Sequence, residues 1–190
     1  MKIFMDTEFT GLHQGTTLIS IGLVSEDGRT FYAEFTDYDE SQCDEWIKNN
    51  VISNLIISGP SDINFTIVGD HPFSFDMDFS KIQEFEIRGN TRDVREYLTK
   101  WLEQFDSVEI WSDCLAYDWV LFCNIWSHAF NVPQVVYYIP FDICTLFKIK
   151  DVDPDISREK FSGMVDSNKK HNSLWDAMII KECYKKLMAM

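Results

Sequence analysis

Asp6 and Glu8 stand two residues apart at the end of an apolar run, Ile3-Phe4-Met5, and that spacing is the first chemistry the chain suggests. Side chains on an extended strand repeat every second residue, so both carboxylates project from one face. Neighbouring carboxylates repel, and apolar surroundings make it harder still to ionise both. A divalent cation removes both costs, and all-oxygen donors suit magnesium or manganese better than zinc. Two acids at this spacing are also common at solvated strand ends, so the pair needs further groups before it marks a site.

Candidates for those groups lie further along. Asp118, in Tyr117-Asp118-Trp119, falls inside the apolar stretch from Leu115 to Trp126. It sits near a helix start, where the helix dipole favours a carboxylate. Asp113 competes with it. The core-like flanks favour Asp118, because Asp113 can simply end a strand. His171 and Asp176 are separated by ~500° of helical rotation, so on one helix they would point to different faces. They converge only if His171 lies on the loop before the helix, with Asn172 or Ser173 as N-cap. Asp176 then falls in the first turn, facing the sheet. An imidazole with an ordinary pKa near ~6.5 can take a proton at physiological pH. His13, His71 and His128 read as ordinary loop residues.

These side chains need a frame to hold them. Lys2–Phe9 reads as a strand that ends in the two acids. Thr17–Val24 is continuously apolar, as in a strand buried on both faces. Ser25-Glu26-Asp27-Gly28 supplies a hairpin turn. Phe31, Ala33 and Phe35 alternate with Tyr32 and Glu34, which predicts a third, half-buried strand. The chain thus opens as a three-strand antiparallel meander. A helix is expected from about Ser41 to Asn49. Residues 51–90 mix Gly59-Pro60, Gly69 and Pro72 with short apolar runs of no sustained period. Irregular structure with one or two short strands is expected there, a candidate lid or dimer contact. Thr91 reads as the N-cap of a helix carried by Val94, Tyr97, Leu98, Trp101, Leu102 and Phe105. A strand at Val108–Trp111, a buried helix at Ala116–Phe130 and a strand at Val135–Ile139 follow. The rest is a short helix at Asp142–Lys148, a polar loop at Asp151–Lys170 and a closing helix at Ser173–Leu187. This order predicts an α/β chain whose mixed central sheet is flanked by helices, in one domain over 1–190.

The 190 residues, 45% of them apolar, suit one core. No stretch reaches the ~20 uninterrupted apolar residues of a spanning helix. Asp6 leaves no room for the apolar segment of a signal peptide. Five cysteines (Cys43, Cys114, Cys123, Cys144, Cys183) are scattered and form no CxxC pair, which argues against a disulfide framework or structural zinc. Most are expected as small core hydrophobes in a cytoplasmic chain with no membrane partner. A net charge of −14 argues against a basic face that grips long duplexes. Two readings survive: no contact with nucleic acid, or a short single-stranded end whose phosphates meet bound cations.

The run Met5-Asp6-Thr7-Glu8-Phe9-Thr10-Gly11-Leu12 resembles the first motif of the DEDD 3′→5′ exonucleases, D-T-E-x-T-G-L. Tyr117-Asp118 with Leu121 resembles the second motif. His171 to Asp176, followed by Ala177, resembles the third in its histidine-bearing form, H-x4-D-A, the DEDDh type. Trp46-Ile47, Asn50-Val51 and Leu55 are similar to a segment of the bacterial and mycobacterial exoribonuclease-like branch. Pro140-Phe141-Asp142 resembles the family's stretch after its last strand. Residues around 56–90 have no counterpart, and Cys114 stands where relatives often carry Asn.

The resemblance implies an RNase H-like fold and a metal-dependent 3′-5′ exoribonuclease acting on single-stranded or 3′-overhanging RNA. Its products would be nucleoside 5′-monophosphates. Asp6, Glu8, Asp118, His171 and Asp176 would be catalytic, the four acids holding two Mg2+ or Mn2+ ions and His171 serving as general base in a two-metal hydrolysis. Phe9, Thr10 and Leu12 would lie beside the terminal nucleotide, Leu12 as a wedge and Phe9 as a stacking face. Relatives are often dimers, so a homodimer is a candidate assembly. The acidic charge favours short RNA. One alternative is a DNA exonuclease of the proofreading kind. Another is a non-catalytic binding module, which usually would lack one of the acids or the histidine. All are present here.

Overall fold

Alternation along the first strand sets the two sides of the molecule. In the computed structural model, which describes residues 1–57, 59, 62–67, 78–166 and 169–190, β1 (Lys2–Phe9) sends Ile3 and Met5 into one core and Phe4 into another. By the two-residue period, Asp6 and Glu8 fall on the Phe4 side and Thr7 on the Met5 side. β2 (Leu18–Ser25) pairs antiparallel with β1, and β3 (Thr30–Phe35) antiparallel with β2. The expected meander therefore forms. Its second turn closes through Gly28, whose φ of 99° suits glycine and whose N–H donates to the Ser25 carbonyl at 3.0 Å.

Two further strands lie beyond β3: β4 (Asp62–Ile67) and β5 (Ile82–Gly89). β5 is parallel to β3, and β4 is antiparallel to β5. On the other edge β6 (Glu109–Ser112) and β7 (Phe141–Asp142) run parallel to β1. The order is β4-β5-β3-β2-β1-β6-β7. The helices among the described residues are α1 (Glu45–Asn50), α2 (Thr91–Glu103), α3 (Ala116–Asn124), α4 (Ile143–Ile149), α5 (Arg158–Ser162) and α6 (Ser173–Ala189). α2 and α3 close one face over Met5, Phe31, Phe85, Leu98, Trp101 and Phe122. α4 and α6 close the other over Phe4, Ile143, Phe147, Ile180 and Leu187. This mixed sheet, covered by helices on both faces, has the α/β RNase H-like arrangement. Among the described residues no helix is long and apolar enough to cross a membrane.

Several elements differ from expectation. Residues 51–90 hold a full eight-residue strand, β5, in which Phe85, Ile87 and Gly89 alternate inward. Gly69, His71 and Pro72 lie outside the described residues. β3 is buried on both faces, because the Glu34 carboxylate is satisfied there: it accepts from the Ile56 and Ile57 N–H groups at 2.7 and 2.9 Å and pairs with Arg88 at 3.0 Å. The N-cap of α2 is Asn90, not Thr91: its side-chain carbonyl oxygen accepts from the Arg92 and Asp93 N–H groups. The first helix is split, a 3-10 turn at Glu40–Gln42 preceding α1, which Asp44 caps. α3 stops early because Ser127 adopts a left-handed φ of 64°. Val135–Ile139 makes only a bridge from Val136 to Val108, Pro133 and Pro140 having no N–H to donate, and pairing resumes at Phe141. The loop at Asp151–Lys170 contains α5.

Candidate active site

The site is built where β1 ends against the start of α6. Asp6 is opposite Gly22 in the β1–β2 ladder. A Cβ at Gly22 would come within 2.3 Å of the Leu174 nitrogen and 2.4 Å of the Ser173 carbonyl carbon. Only glycine lets the helix end settle this close to the sheet. Ser20 and Ser173 join hydroxyls at 2.9 Å beside the contact. Asn172 caps the helix, accepting from the Trp175 N–H at 3.1 Å. His171 precedes the cap in a left-handed turn, φ 60°, which aims its ring back towards the strand.

These constraints bring one carboxylate oxygen each of Asp6, Glu8 and Asp176 within 4.8 Å of one another. His171 Nδ1 lies 4.0 Å from Glu8 Oε1, and the Asp176 carboxylate accepts the His171 backbone N–H. Asp118 arrives from the opposite side of the sheet on α3 and stays outside the three-acid group. Thr7 donates to its Oδ1 and Ser112 to its Oδ2, each at 2.5 Å. The four expected acids thus comprise three that share one pocket and a fourth, Asp118, held alongside by Thr7 and Ser112. Asp113, the competitor for the second motif, is committed elsewhere, paired with Arg158 at 2.7 Å.

Holding a buried carboxylate by two hydroxyls fixes its orientation, much as hydrogen-bonded partners orient metal ligands. Ser112→Ala and Thr7→Val are therefore expected to lower the rate of the reaction at this site by about 10–100-fold each with little change in fold, as steady-state rates and melting curves would report. Full activity in both variants would mean that the orientation of Asp118 is irrelevant.

Burial and mutual repulsion hold the acids' protons on. Glu8 is pushed up to about 8 by burial, then by Asp176 and Asp118. Asp176 is raised to about 7, by burial first and the Glu159 charge next. Asp118 is raised to about 6 by burial, against the opposing pull of the Ser112 and Thr7 hydroxyls. Asp6 is raised well above the usual range by burial, then by Asp118, Asp176 and Glu8. His171 moves the other way, lowered by burial and by Lys170, which keeps its imidazole neutral.

A site of four mutually repelling oxygen donors fits a divalent cation, which supplies far more opposing charge than the nearby Lys170 gives Asp176. The sign for stability follows. Each carboxyl keeps its proton to higher pH in the fold than in the unfolded chain, so cation-free stability is greatest at acid pH. It erodes as pH climbs through about 6, 7 and 8, where Asp118, Asp176 and Glu8 ionise. In EDTA, the melting temperature should fall from about pH 5 to about pH 8.5, and Mg2+ or Mn2+ should restore it at the upper end. A melting temperature indifferent to both would contradict this.

Asp6, Glu8 and Asp176 line a cleft of about 460 Å³ whose wall continues through Phe9, Gly11, Leu12, Asp44, Trp46 and Val51. Leu12 on its rim is 78% exposed and Trp46 54% exposed. Trp46 meets the His171 ring edge-on, centroids 5.0 Å apart. Phe9 already stacks on Tyr117 at 5.4 Å. Thr10 is buried, with its hydroxyl shared among Gln42, Thr16 and Thr17, and so holds the loop that presents Leu12. Gly22 and Ser112 went unnoticed in the sequence. An isolated glycine within a strand pattern was the available signal for the first. The second had none.

A family model described as the 3'-5' exoribonuclease Rv2179c-like domain matches residues 1–188. Two curated relatives from Mycobacterium tuberculosis are 31% identical over 137 residues, 72% of this chain and 67% of theirs. They are the 3'-5' exoribonuclease Rv2179c of strain H37Rv and the 3'-5' exoribonuclease MT2234.1 of strain CDC 1551.

Proposed function

The chain belongs to the Rv2179c-like 3'-5' exoribonuclease family, and from that premise we propose that it shortens single-stranded or 3′-overhanging RNA one nucleoside 5′-monophosphate at a time. The observation that carries this reading is the convergence of Asp6, Glu8 and Asp176 within 4.8 Å, with His171 beside them, in a chain that the family matches nearly end to end. On this reading the site is of the histidine-bearing DEDD type and works with two divalent cations, Mg2+ or Mn2+. Asp6, Glu8 and Asp176 would hold one cation, and Asp118 beside Asp6 would help hold the second. When bound, such cations polarise the phosphate, lower the pKa of water and offset charge on the leaving oxygen.

The remaining work falls to the chain's own groups. His171, neutral and poised in its turn, accepts the proton of the attacking water at one of its ring nitrogens. The Trp46 edge limits the swing of the imidazole. Leu12 is exposed at the rim, where it can wedge against the last base, and Phe9 lines the same wall. The cleft is short and its walls are acidic and apolar, so it suits a chain end rather than duplex. Net charge of −14 disfavours long polyanions for the same reason.

The test compares 5′-labelled single-stranded RNA with DNA of matched sequence, with Mg2+ or Mn2+ and with EDTA. Stepwise loss from the 3′ end is expected, faster on RNA and absent in EDTA. Equal or faster loss on DNA would replace the RNA preference with a proofreading-like activity. Internal cuts would overturn the reading.

A further inference from the structure

β6 and β7 end side by side at Ser112 and Asp142, and two residues beyond each end stand Cys114 and Cys144. Their sulfur atoms lie 3.6 Å apart, whereas Cys43, Cys123 and Cys183 are buried in the cores. Cys114 is exposed and strained, at φ 53°, a conformation that Asn adopts more readily. Cys144 is partly covered in the first turn of α4. Its thiol donates to Asp113 Oδ1 at 3.0 Å. The Arg158 guanidinium binds both oxygens of Asp113, at 2.7 and 3.0 Å, and lies 3.2 Å from the Cys144 sulfur.

Asp113 and the two sulfurs are close enough to share a soft cation. The guanidinium already supplies positive charge there and would repel a second cation, which favours covalent chemistry between the sulfurs.

We propose that Cys114 and Cys144 form a reversible disulfide that slows the enzyme by resetting the turn between β6 and Asp118. The oxidant is a peroxide. The exposed Cys114, as thiolate, attacks a peroxide oxygen; the S–O bond forms, the O–O bond breaks, and the departing hydroxide takes up the proton that Cys114 lost. Cys144 sulfur then attacks Cys114 sulfur; the S–S bond forms and the S–O bond breaks. The second hydroxide leaves as water with the proton of Cys144, relayed by Asp113, while Arg158 steadies the charge on sulfur. Two thiols and one hydrogen peroxide thus become one disulfide and two waters. Closing the sulfurs from 3.6 Å to a bond of ~2.0 Å pulls on the Cys114 backbone. That backbone joins Ser112 to Asp118, whose hydrogen bond spans the turn.

The activity half of this inference rests on the exonuclease reading; the bond itself does not. The intact chain is treated with hydrogen peroxide and then with dithiothreitol, with mass spectrometric peptide mapping and RNA shortening followed in parallel. Free thiols should drop from five to three, with a Cys114–Cys144 linked peptide. The rate should fall about tenfold, the scale of a sub-ångström misplacement, and return with dithiothreitol. Cys114→Ser and Cys144→Ser should match the parent when reduced and ignore peroxide. Links between other cysteines, links between chains, or a linked protein of undiminished rate would overturn the proposal. Reduced protein that leaves RNA intact would instead overturn the exonuclease reading, with the peptide map still deciding the bond.

Discussion

Asp6→Asn is expected to abolish RNA shortening and, at the same time, to raise the melting temperature of the cation-free protein. Asp6 lies where four other carboxylates, Asp118, Asp176, Glu8 and Asp113, all raise its pKa on top of its burial. The amide keeps its shape and needs no proton held on at neutral pH, so the cost of burying Asp6 in that crowd disappears. Relief on the order of 1 kcal/mol would appear as a gain of about 2–4 °C in a chain of this size. Activity should fall by at least about a hundredfold, the scale on which single preorganised electrostatic contacts act. The opposite signs are what make the pair of measurements decisive. A residue that merely supports the fold would lose both stability and activity, and a bystander would lose neither.

Gly22→Ala is the second large effect, and it acts without touching any titratable group. Its Cβ would meet backbone atoms of Ser173 and Leu174 at 2.3–2.4 Å, and backbone cannot move aside as a side-chain tip can. The start of α6 must shift, taking His171 and Asp176 with it while Asp6 and Glu8 stay on their strand. Overpacking of this kind costs about 1–3 kcal/mol, so the variant should fold with a lowered melting temperature. A misplacement of about 1 Å between reacting groups can cost about a hundredfold in rate, which is the loss expected here. Gly15→Ala is the control, since its Cβ would meet nothing nearer than 3.7 Å, and its rate should match the parent. Parent-like activity for Gly22→Ala would show that the helix position does not set the site.

The parts of this arrangement legible in the sequence were those set by local periodicity. The two-residue alternation along Lys2–Phe9 was enough to put Asp6 and Glu8 on one face. Helical rotation alone required His171 to sit outside α6, and the chain does so with Asn172 as cap. What stayed hidden depends on partners distant in sequence. β5 carries its own alternation, yet its two-sided pairing with β3 and β4 was masked by the glycines and prolines before it. Tyr32 and Glu34 read as a solvated face because nothing local announces that Arg88 and the amides of Ile56 and Ile57 will satisfy a buried carboxylate. The division of the acids is of the same kind. Whether Asp118 joins the others or is clamped by Thr7 and Ser112 depends on which face of the sheet α3 covers. Likewise the closeness of Cys114 and Cys144 comes from the β6–β7 register, not from their spacing along the chain.

The most direct test of the cation-gathering claim is a crystal soaked in manganese, with anomalous difference density recorded at the manganese edge. Density bonded by carboxylate oxygens of Asp6, Glu8 and Asp176, and lost in Asp6→Asn, is the result expected. Manganese bound only elsewhere on the acidic surface, or density there that persists in Asp6→Asn, would contradict it.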